Sequence, residues 1–304
     1  MSARYLQDTA LRYFLEVVRC GSINAASVKL NVVSSAISRQ ISALEAELDT
    51  VLFERRARGM VPSAAGEVLA AYAYKSTLDA DRAVNEIRAL NGLRSGRVRL
   101  CSTTGFATEF LPLAIAAFQV SYPDIQFDLA VGDSREVSRM LREGEADIGL
   151  SFSRAPERDI KVESRLKAPV MVVMRRGHPL ERFERIALAQ LQAYPLALPD
   201  PSLTLRQLFD VACAEQNLAM KSVFTSNYAP AIYNFVAQSD AVSLSGEVSV
   251  RHRVADGILT AVPLRDRAMG RRDVEIQTFN GRMLPRAVQT FLAFLIERLK
   301  QHIA

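Results

Sequence analysis

The order of apolar and polar residues between Ser22 and Pro62 predicts two short helices separated by a very short polar connection. In each helix the apolar residues recur at three- and four-residue steps and therefore share one face. They are Ile23, Ala26 and Leu30 in the first helix and Ile37, Ile41, Leu44 and Leu48 in the second. Small residues at Ala25 and Ala26 allow the two helices to approach closely. This arrangement is typical of a helix-turn-helix.

Flanking segments extend this unit on both sides. The segment from Ala10 to Cys20 has the same periodicity and predicts a preceding helix, which Gly21-Ser22 ends while capping the next one. Beyond the second helix of the pair, Leu52-Phe53 anchors a short strand, the chain turns through Gly59, and Val61 returns toward the core. The pattern therefore predicts a small two-stranded wing.

The second helix of the pair exposes a polar surface made of Ser34, Ser35, Ser38, Arg39 and Ser42. A short, hydroxyl-rich and positively charged surface suits the major groove of DNA. Arg55, Arg56 and Arg58 of the wing lie close together and suit phosphate contacts, which position a protein on DNA without reading its sequence. From the residues alone, a helical hairpin with a solvated face and a solvated charged turn remains the alternative.

A long amphipathic helix is predicted from about Ala64 to Leu90, with Ser63 as its N-cap and Asn91-Gly92 at its end. Its stripe consists of Leu69, Tyr72, Ala73, Ser76, Ala80, Ala83, Ile87 and Leu90. A small domain has no obvious place to bury this stripe, which favours a dimerisation helix. Packing against the second half of the same chain is the alternative.

From Gly96 onward, strands and helices alternate. Strands are predicted at 98–101, 125–131 and 146–151, with helices at 110–122 and 135–143 between them. This order indicates a parallel sheet with right-handed crossovers.

The same alternation begins again at Val170. Strands are predicted at 170–175, 195–199, 222–225, 241–244, 259–263 and 274–279, and helices at 203–216, 229–238 and 286–302. Two such halves joined by two crossings make a bilobed α/β module with a cleft. The expected domains are residues 1–63, a linker helix 64–93 and a module 94–304, with lobe one at about 94–168 and 268–304 and lobe two at about 169–267.

Composition narrows the class of protein. In 304 residues, 49% hydrophobic residues suffice for sizeable cores, and no apolar run approaches the roughly 18–20 residues of a membrane span. The N-terminus has no apolar signal core, and three scattered cysteines form neither a disulfide framework nor a metal site. We therefore expect a cytoplasmic protein without metal or cofactor. The net charge of +5 permits an anionic partner.

The N-terminal residues resemble those of the LysR-type transcriptional regulators. The matching residues are Leu11-Arg12-Tyr13-Phe14, Gly21-Ser22, Ala25-Ala26, Ala36-Ile37-Ser38-Arg39-Gln40-Ile41, Leu44-Glu45, Leu52-Phe53-Glu54-Arg55 and Gly66. Weaker matches follow at Leu111-Pro112, Tyr122-Pro123, Gly144-Glu145-Ala146-Asp147-Ile148 and His178-Pro179-Leu180. The order of predicted elements along the whole chain is also similar to that of the family.

The resemblance implies a winged helix-turn-helix, a linker coiled coil and an effector module like periplasmic binding proteins. It implies dimers, usually assembled as tetramers, on promoter DNA, and contact with RNA polymerase. By position, Ser34, Ser35, Ser38 and Arg39 match the DNA-facing part of the recognition helix, and Arg55 and Arg58 match the backbone contacts of the wing. Val33-Ser34-Ser35 replaces the usual Ser-Gln-Pro opening of that helix, so the operator preference does not transfer.

The resemblance also implies that a small anion or polar metabolite binds between the lobes, to strand-end hydroxyls and helix N-terminal amides. The matching positions are Ser102, Thr103, Thr104, Ser134, Ser151, Ser202, Thr204 and Asn227. Each can also be a simple N-cap or turn hydroxyl. The segment Ser239 to Gly246 departs from the family because it lacks the usual terminal proline.

Rival functions find less support in the sequence. An enzyme would be expected to show a phosphate loop, a GxSxG elbow or metal-ligand spacing, and none is present. Cys101 has no partner cysteine nearby in the sequence, so a buried small residue is favoured over a redox sensor. A solute-binding protein would carry an export signal and would not need residues 1–93.

Overall fold

The computed structural model describes residues 6, 8–56, 59–89, 96–153, 157–167, 169–270 and 273–303. The chain divides into two compact units, the first formed mainly by residues 1–93 and the second by residues 94–280 and 286–304. Each unit is described separately below.

The described residues of the first unit form four helices and a two-stranded sheet. These are α1 (Thr9–Cys20), α2 (Ile23–Leu30), α3 (Ser34–Glu47), β1 (Phe53–Arg56), β2 (Gly59–Pro62) and α4 (Ala64–Ala89). The predicted helices, wing strands and linker helix are all confirmed, with ends that differ by a few residues at most. Asp8 caps α1 by accepting from the amides of Ala10 and Leu11, and Ser22 caps α2 by accepting from the amide of Ala25.

One apolar core holds the first three helices and the wing together. Phe14 and Val17 of α1 pack with Ile37 of α3 and with Leu52 and Phe53 at the start of the wing. The Phe14 and Phe53 rings are 5.1 Å apart. The apolar stripes predicted from the sequence therefore meet in this core, except for Leu48, which is 49% exposed and lies just beyond the end of α3.

The wing is attached to the turn between α1 and α2. β1 and β2 are antiparallel, and the amide of Met60 donates to the carbonyl oxygen of Gly21 at 2.8 Å. At Gly59, φ is +120°, and a side chain there would come within 2.5 Å of the Gly21 oxygen. Only glycine fits this close approach.

The stripe predicted on α4 is only partly buried. Ala73 and Ala80 are buried, as are Ala70 and Leu78, which the predicted stripe omits. Tyr72 and Ile87 are about 60% exposed, at 59% and 62%, and Leu90 lies outside the described residues. A single chain thus leaves apolar side chains of α4 in contact with solvent.

Among the described residues, the second unit contains a five-stranded, a three-stranded and a two-stranded sheet, with helices packed on them. Its strands are β3 (Gly96–Ser102), β4 (Ile125–Val131), β5 (Ile148–Ser153), β6 (Ile160–Lys167), β7 (Val170–Arg175), β8 (Leu196–Pro199), β9 (Ser222–Ser226), β10 (Ser243–Gly246), β11 (Leu259–Pro263) and β12 (Asp273–Phe279). Its helices are α5 (Thr104–Ala107), α6 (Phe110–Gln119), α7 (Ser134–Arg142), α8 (Thr204–Glu215), α9 (Ala229–Ala237), α10 (Arg251–Ala255) and α11 (Arg286–Ile303).

The first sheet has the strand order β4-β3-β5-β12-β6. The pairs β4–β3 and β3–β5 are parallel, which confirms the predicted strand-helix-strand-helix-strand unit. β12 is antiparallel to both β5 and β6, so a strand from the end of the chain lies between two strands from its middle. On one face of this sheet Phe291 of α11 packs against Phe118 and Phe127, with ring centroids 5.0 Å and 4.8 Å away.

The sequence analysis does not predict β6, although the strand carries a period-two signal. Ile160, Val162 and Leu166 alternate with charged residues, which suits an edge strand with one face on the core. Arg165 of β6 pairs at 2.6 Å with Glu275 of β12, a carboxylate that is buried. This ion pair and the strand ladder fix β6 at the edge of the sheet.

The second sheet region differs from the expected repeat of the first. β7 lies between β10 and β11 and is antiparallel to both, whereas β8 and β9 pair in parallel in a separate two-stranded sheet. The prediction of a second unit like the first was therefore wrong in strand direction. The apolar runs identify buried strands, but a run of four to six residues carries no information about direction.

The chain passes twice between the five-stranded and the three-stranded sheet, from β6 to β7 and from β11 back to β12. Two lobes joined by two crossings result, as the sequence predicts. The core of the second lobe includes Val172, Leu198, Phe209 and Leu244, so its strands and α8 share one apolar interior.

Candidate functional site

The first candidate surface is the outward face of α3. Ser35, Ser38, Arg39 and Ser42 are exposed, while Ile37 on the same helix is buried. Four of the five polar residues predicted on this face are therefore accessible to a partner molecule.

Ser34, the fifth, has a different environment. Its hydroxyl oxygen is 2.9 Å from Oδ1 of Asn24 and 3.1 Å from Oγ of Ser27, both on α2. The Ser27 hydroxyl in turn donates to the carbonyl oxygen of Asn24 at 2.8 Å. Ser34 therefore ties the start of α3 to α2, a role that sequence spacing alone does not reveal.

The predicted arginines of the wing are only partly described. Arg55 and Arg56 belong to β1 by their backbone, but their side chains lie outside the described part of the structure. Arg58 lies outside the described residues altogether.

The second candidate site is a cavity between the two lobes of the second unit. It encloses about 930 Å³ of empty space, including its opening to solvent. The first lobe contributes residues 103–105, 132–135 and 152, and the second contributes residues from 199 to 249. Most of these segments follow the ends of β3, β4, β8, β9 and β10, which is where parallel strands place ligands in α/β folds.

Six of the eight predicted effector residues line this cavity: Thr103, Thr104, Ser134, Ser202, Thr204 and Asn227. Ser102 and Ser151 are buried within β3 and β5 and are not among the lining residues. The Ser102 hydroxyl donates to the carbonyl oxygen of Thr103 at 3.1 Å. Both positions lie at the ends of predicted strands, but neither residue lines the cavity.

Sequence reasoning missed other lining residues, above all Arg135, Phe152, Tyr233, Ser245 and Ser249. Arg135 follows the predicted Ser134 directly, so its position beside the cleft was available from the sequence. Tyr233 lies one turn into α9, and its hydroxyl is 2.7 Å from Oγ of Ser245. Such a contact between two elements has no sequence signal.

The electrostatics of the cavity come mainly from backbone and hydroxyl groups. The helices α7, α8 and α9 all begin at its lining. The carboxylate of Asp133 caps α7 by accepting from the amide of Glu136, whereas no side chain caps α8 or α9 among the described residues. Uncapped helix N-termini present free amides and favour negative charge.

One buried hydroxyl at the cavity has no hydrogen-bond partner within the described residues. It is that of Thr103. Ser249, only 2% exposed, lines the cavity from the other lobe. Buried hydroxyls are normally bonded, so the Thr103 hydroxyl can accept from or donate to a ligand.

Cys101 and Cys213 have the character of core residues. Burial raises the pKa of Cys101 to about 12 and that of Cys213 to about 11, and nearby carboxylates act in the same direction. The thiolate is the reactive form of cysteine, so these thiols are unreactive near neutral pH. Cys101 lies beside β4 and α7 in the apolar core of the first lobe.

No group of three or more His, Cys, Asp and Glu side chains among the described residues could hold a metal ion. None of the helices that the structure describes combines the length and the hydropathy that crossing a membrane requires.

Family models match both parts of the chain. Residues 9–67 match the family model of the bacterial regulatory helix-turn-helix protein, lysR family, and residues 91–300 match that of the LysR substrate binding domain. The probable HTH-type transcriptional regulator LrrA of Synechococcus elongatus is 34% identical over 191 residues, which are 62% of this chain and 64% of LrrA. The match thus spans a little under two thirds of that relative.

Solved structures share the fold. A full-length variant of OxyR from Pseudomonas aeruginosa has a TM-score of 0.69 at 20% identity, over 94% of this chain and 93% of that one. The regulatory domain of CcmR from Synechocystis, in complex with 2-PG, has a TM-score of 0.58 at 22% identity, over 67% of this chain and 97% of that one. With a helix-turn-helix unit and a substrate-binding module both matched, the chain belongs to the LysR-type transcriptional regulators, a family of DNA-binding regulators rather than enzymes.

Proposed function

We propose that a small metabolite with one anionic oxygen-bearing group, such as a carboxylate, binds between the lobes and controls how the protein acts on promoter DNA. The observation that carries this proposal is the buried, unpartnered hydroxyl of Thr103 in the first lobe, which lines the same cavity as Ser249 of the second lobe. A ligand that bonds both would hold the two lobes in one arrangement. CcmR, a regulator with the same fold, binds 2-PG, which supports a small-molecule effector.

The lining favours a single negative charge on the ligand. Its charged side chains are Asp133, already engaged as the cap of α7, and Arg135 at the opening. Hydroxyls, the free amides at the start of α8 and Arg135 can together solvate one carboxylate or phosphate. Leu205, Ile232 and other apolar side chains of the lining accommodate the hydrocarbon part of the ligand.

On DNA, we assign base and phosphate contacts to Ser35, Ser38, Arg39 and Ser42 of α3, and phosphate contacts to Arg55, Arg56 and Arg58 of the wing. Their support is the exposure of the α3 residues and the basic sequence of the wing. Ser34 ties the start of α3 to α2 rather than contacting DNA itself.

The assembly is proposed on the same basis. The domains are residues 1–63, 64–93 and 94–304, with lobe one at about 94–168 and 268–304 and lobe two at about 169–267. The exposed Val68, Tyr72 and Ile87 of α4 support pairing of linker helices in a dimer, which would assemble further into a tetramer. The protein acts in the cytoplasm and contacts RNA polymerase at the promoter.

A thermal-shift screen of carboxylates, amino acids and aromatic acids on the full-length protein tests the effector site. The affinity of the best compound is then measured by calorimetry in Thr103→Ala and Ser249→Ala. We expect about a tenfold loss in each, since each variant removes one hydrogen bond to a charged group.

The matched control for the effector site is Ser243→Ala. Ser243 also carries a buried hydroxyl without a partner in the described structure, but it does not line the cavity. Its removal should leave the affinity unchanged. If Thr103→Ala and Ser249→Ala both bind the compound like the parent protein, the effector lies elsewhere.

Gel shifts at several salt concentrations test the DNA surface. Arg39→Ala should reduce the preference for the upstream region over random DNA, whereas Arg55→Ala should weaken binding to all sequences alike and lower the salt dependence. If the parent protein binds its upstream region no better than random DNA, sequence-specific regulation there is excluded.

A further inference from the structure

The residue that precedes α3 has an exposed apolar side chain, which its N-cap position does not explain. Val33 is the N-cap residue of α3, and 67% of its surface is exposed. Serine, threonine, asparagine and aspartate are preferred here because their oxygen accepts a hydrogen bond from a free amide of the helix, and valine is among the poorest choices. None of the described side chains caps α3 in its place. The helix therefore forgoes a cap and exposes an isopropyl group to solvent.

The hydroxyl of Ser34, the residue after Val33, forms hydrogen bonds within the protein. The Ser34 hydroxyl lies against Asn24 and Ser27 of α2, at 2.9 Å and 3.1 Å. At the start of α3, the side chains left facing outward are consequently the isopropyl group of Val33 and the hydroxyl of Ser35. One can form hydrogen bonds and the other can make only apolar contacts.

The major groove of DNA offers one apolar group on its base edges, the 5-methyl group of thymine. The N-terminal residues of a recognition helix are the ones that contact base edges. We propose that Val33 packs against a thymine methyl group and so selects thymine at one position in each half of the operator. This role rests on α3 being the recognition helix, as proposed above.

Deoxyuridine provides a test, because it lacks the methyl group of thymine and keeps all of its hydrogen-bonding groups. The full-length protein first selects a binding site from a pool of random duplexes. Fluorescence anisotropy at one fixed salt concentration then measures its affinity for that site with each thymine replaced in turn. For the parent protein, we expect replacement at one position per half-site to weaken binding about fourfold, the effect of losing roughly one buried methyl group.

In Val33→Ser, the same replacement should have no effect on affinity. Serine restores a capping hydroxyl, so this variant should also have a higher Tm than the parent. Loss of discrimination together with a higher Tm separates a role in reading DNA from a role in folding.

Val51→Ser is the matched control. Val51 has a similar exposed fraction, 62%, but lies between α3 and β1, beyond the other end of the helix. This variant should retain the fourfold deoxyuridine effect.

Two outcomes would overturn the role of Val33 and leave α3 as the recognition helix. In one, the parent protein binds its selected site specifically but no deoxyuridine duplex binds more weakly. In the other, Val33→Ser shows the same loss as the parent. Failure to select any site from the pool would instead refute sequence-specific DNA binding, and the role of Val33 with it.

Discussion

Hydroxyl side chains occur at both candidate sites, and their partners differ. In the helix-turn-helix, Ser34 is bonded to α2, and the hydroxyl of Ser63 donates to the carbonyl oxygen of Val51 at 2.6 Å. In the cavity, the buried hydroxyl of Thr103 has no partner among the described residues. A bonded hydroxyl stabilises the fold, whereas a buried unpartnered one costs about 1–3 kcal/mol until a ligand supplies the bond. The presence or absence of a hydrogen-bond partner thus separates hydroxyls that stabilise the fold from hydroxyls that are available to bond a ligand.

The largest loss of stability is expected for Gly66→Ala, at a tightly packed position whose amide is bonded to the hydroxyl of Ser63. In Gly66→Ala, the new Cβ would come within 2.1 Å of the carbonyl oxygen of Leu52, a backbone atom, and Ser63 already bonds the Gly66 amide at 3.0 Å. We expect the free energy of unfolding of the first unit to fall by about 3 kcal/mol, as measured by urea denaturation.

Alanine substitutions at two other glycines serve as controls for Gly66→Ala. In Gly105→Ala the Cβ would meet the Ser249 hydroxyl at 2.5 Å, and that side chain can rotate away, so the loss should be below about 1 kcal/mol. Gly270→Ala meets nothing within 4 Å and should be neutral. A loss in Gly105→Ala as large as in Gly66→Ala would show that the cavity wall is as rigid as the helix-turn-helix.

The next largest change in stability is expected from the titration of His302, whose Nε2 has no partner among the described residues and which does not line the cavity. His302 of α11 lies at the edge of the Phe110 ring, and burial, together with Arg251, His252 and Arg298 nearby, lowers its pKa to about 4, against the opposing effect of Glu247. Between pH 6.5 and 4 the unfolded chain therefore binds a proton that the folded chain does not, so stability falls as the pH is lowered. Above about pH 7 this group has no effect on stability.

For the parent protein we expect this histidine to account for about 2 kcal/mol of lost stability between about pH 7 and pH 4, with allowance for its partial exposure. His302→Phe keeps an aromatic ring in place and removes the titration. Urea denaturation of both proteins at several pH values measures the difference. Identical slopes would show that His302 does not titrate as its surroundings indicate.

Ser34→Ala tests the bonded hydroxyl of α3. Loss of its contacts with α2 should lower the free energy of unfolding by about 1 kcal/mol. Ser38→Ala, on the exposed face of the same helix, should stay within about 0.5 kcal/mol of the parent and instead weaken DNA binding. If Ser34→Ala impairs DNA binding without loss of stability, Ser34 contacts DNA after all.

The smallest effect is expected for an unpartnered hydroxyl of the cavity. Without ligand, Thr103→Ala should leave thermal stability unchanged or slightly higher, because it removes a buried group with no bond. Ser102→Ala, whose hydroxyl is bonded to the Thr103 carbonyl, should lose up to about 1 kcal/mol. Equal losses of stability in the two variants would show that the bonded hydroxyl of Ser102 and the unpartnered hydroxyl of Thr103 do not differ in their effect on the fold.

Much of the fold follows from local patterns in the sequence. Apolar periodicity and turn residues place most elements to within a few residues, because each pattern is the face that packs in a core. The strand β6 was missed although its alternation is clear, and the direction of β7 has no local signal at all. Whether a strand pairs in parallel or antiparallel depends on its neighbours in the sheet, and those neighbours come from distant parts of the chain.

The candidate sites were predictable to different degrees. The exposed face of α3 is one helix, so spacing alone identifies Ser38 and Arg39. The cavity is assembled from several separate segments, and strand ends indicate Thr103 or Asn227 but not Phe152 or Ser249. Whether a hydroxyl such as Ser34 is already bonded is settled only by the neighbours that the fold brings to it.

The position of β12 affects how this protein is made. The first lobe begins at residue 96, yet its sheet lacks its fourth strand until residues 273–279 have left the ribosome. Until then β5 and β6 have unpaired edges where β12 belongs, and the second lobe can form before the first is complete. The lobe that is synthesised first is therefore the one that finishes folding last, and a nascent chain halted before β12 would expose strand edges prone to aggregation.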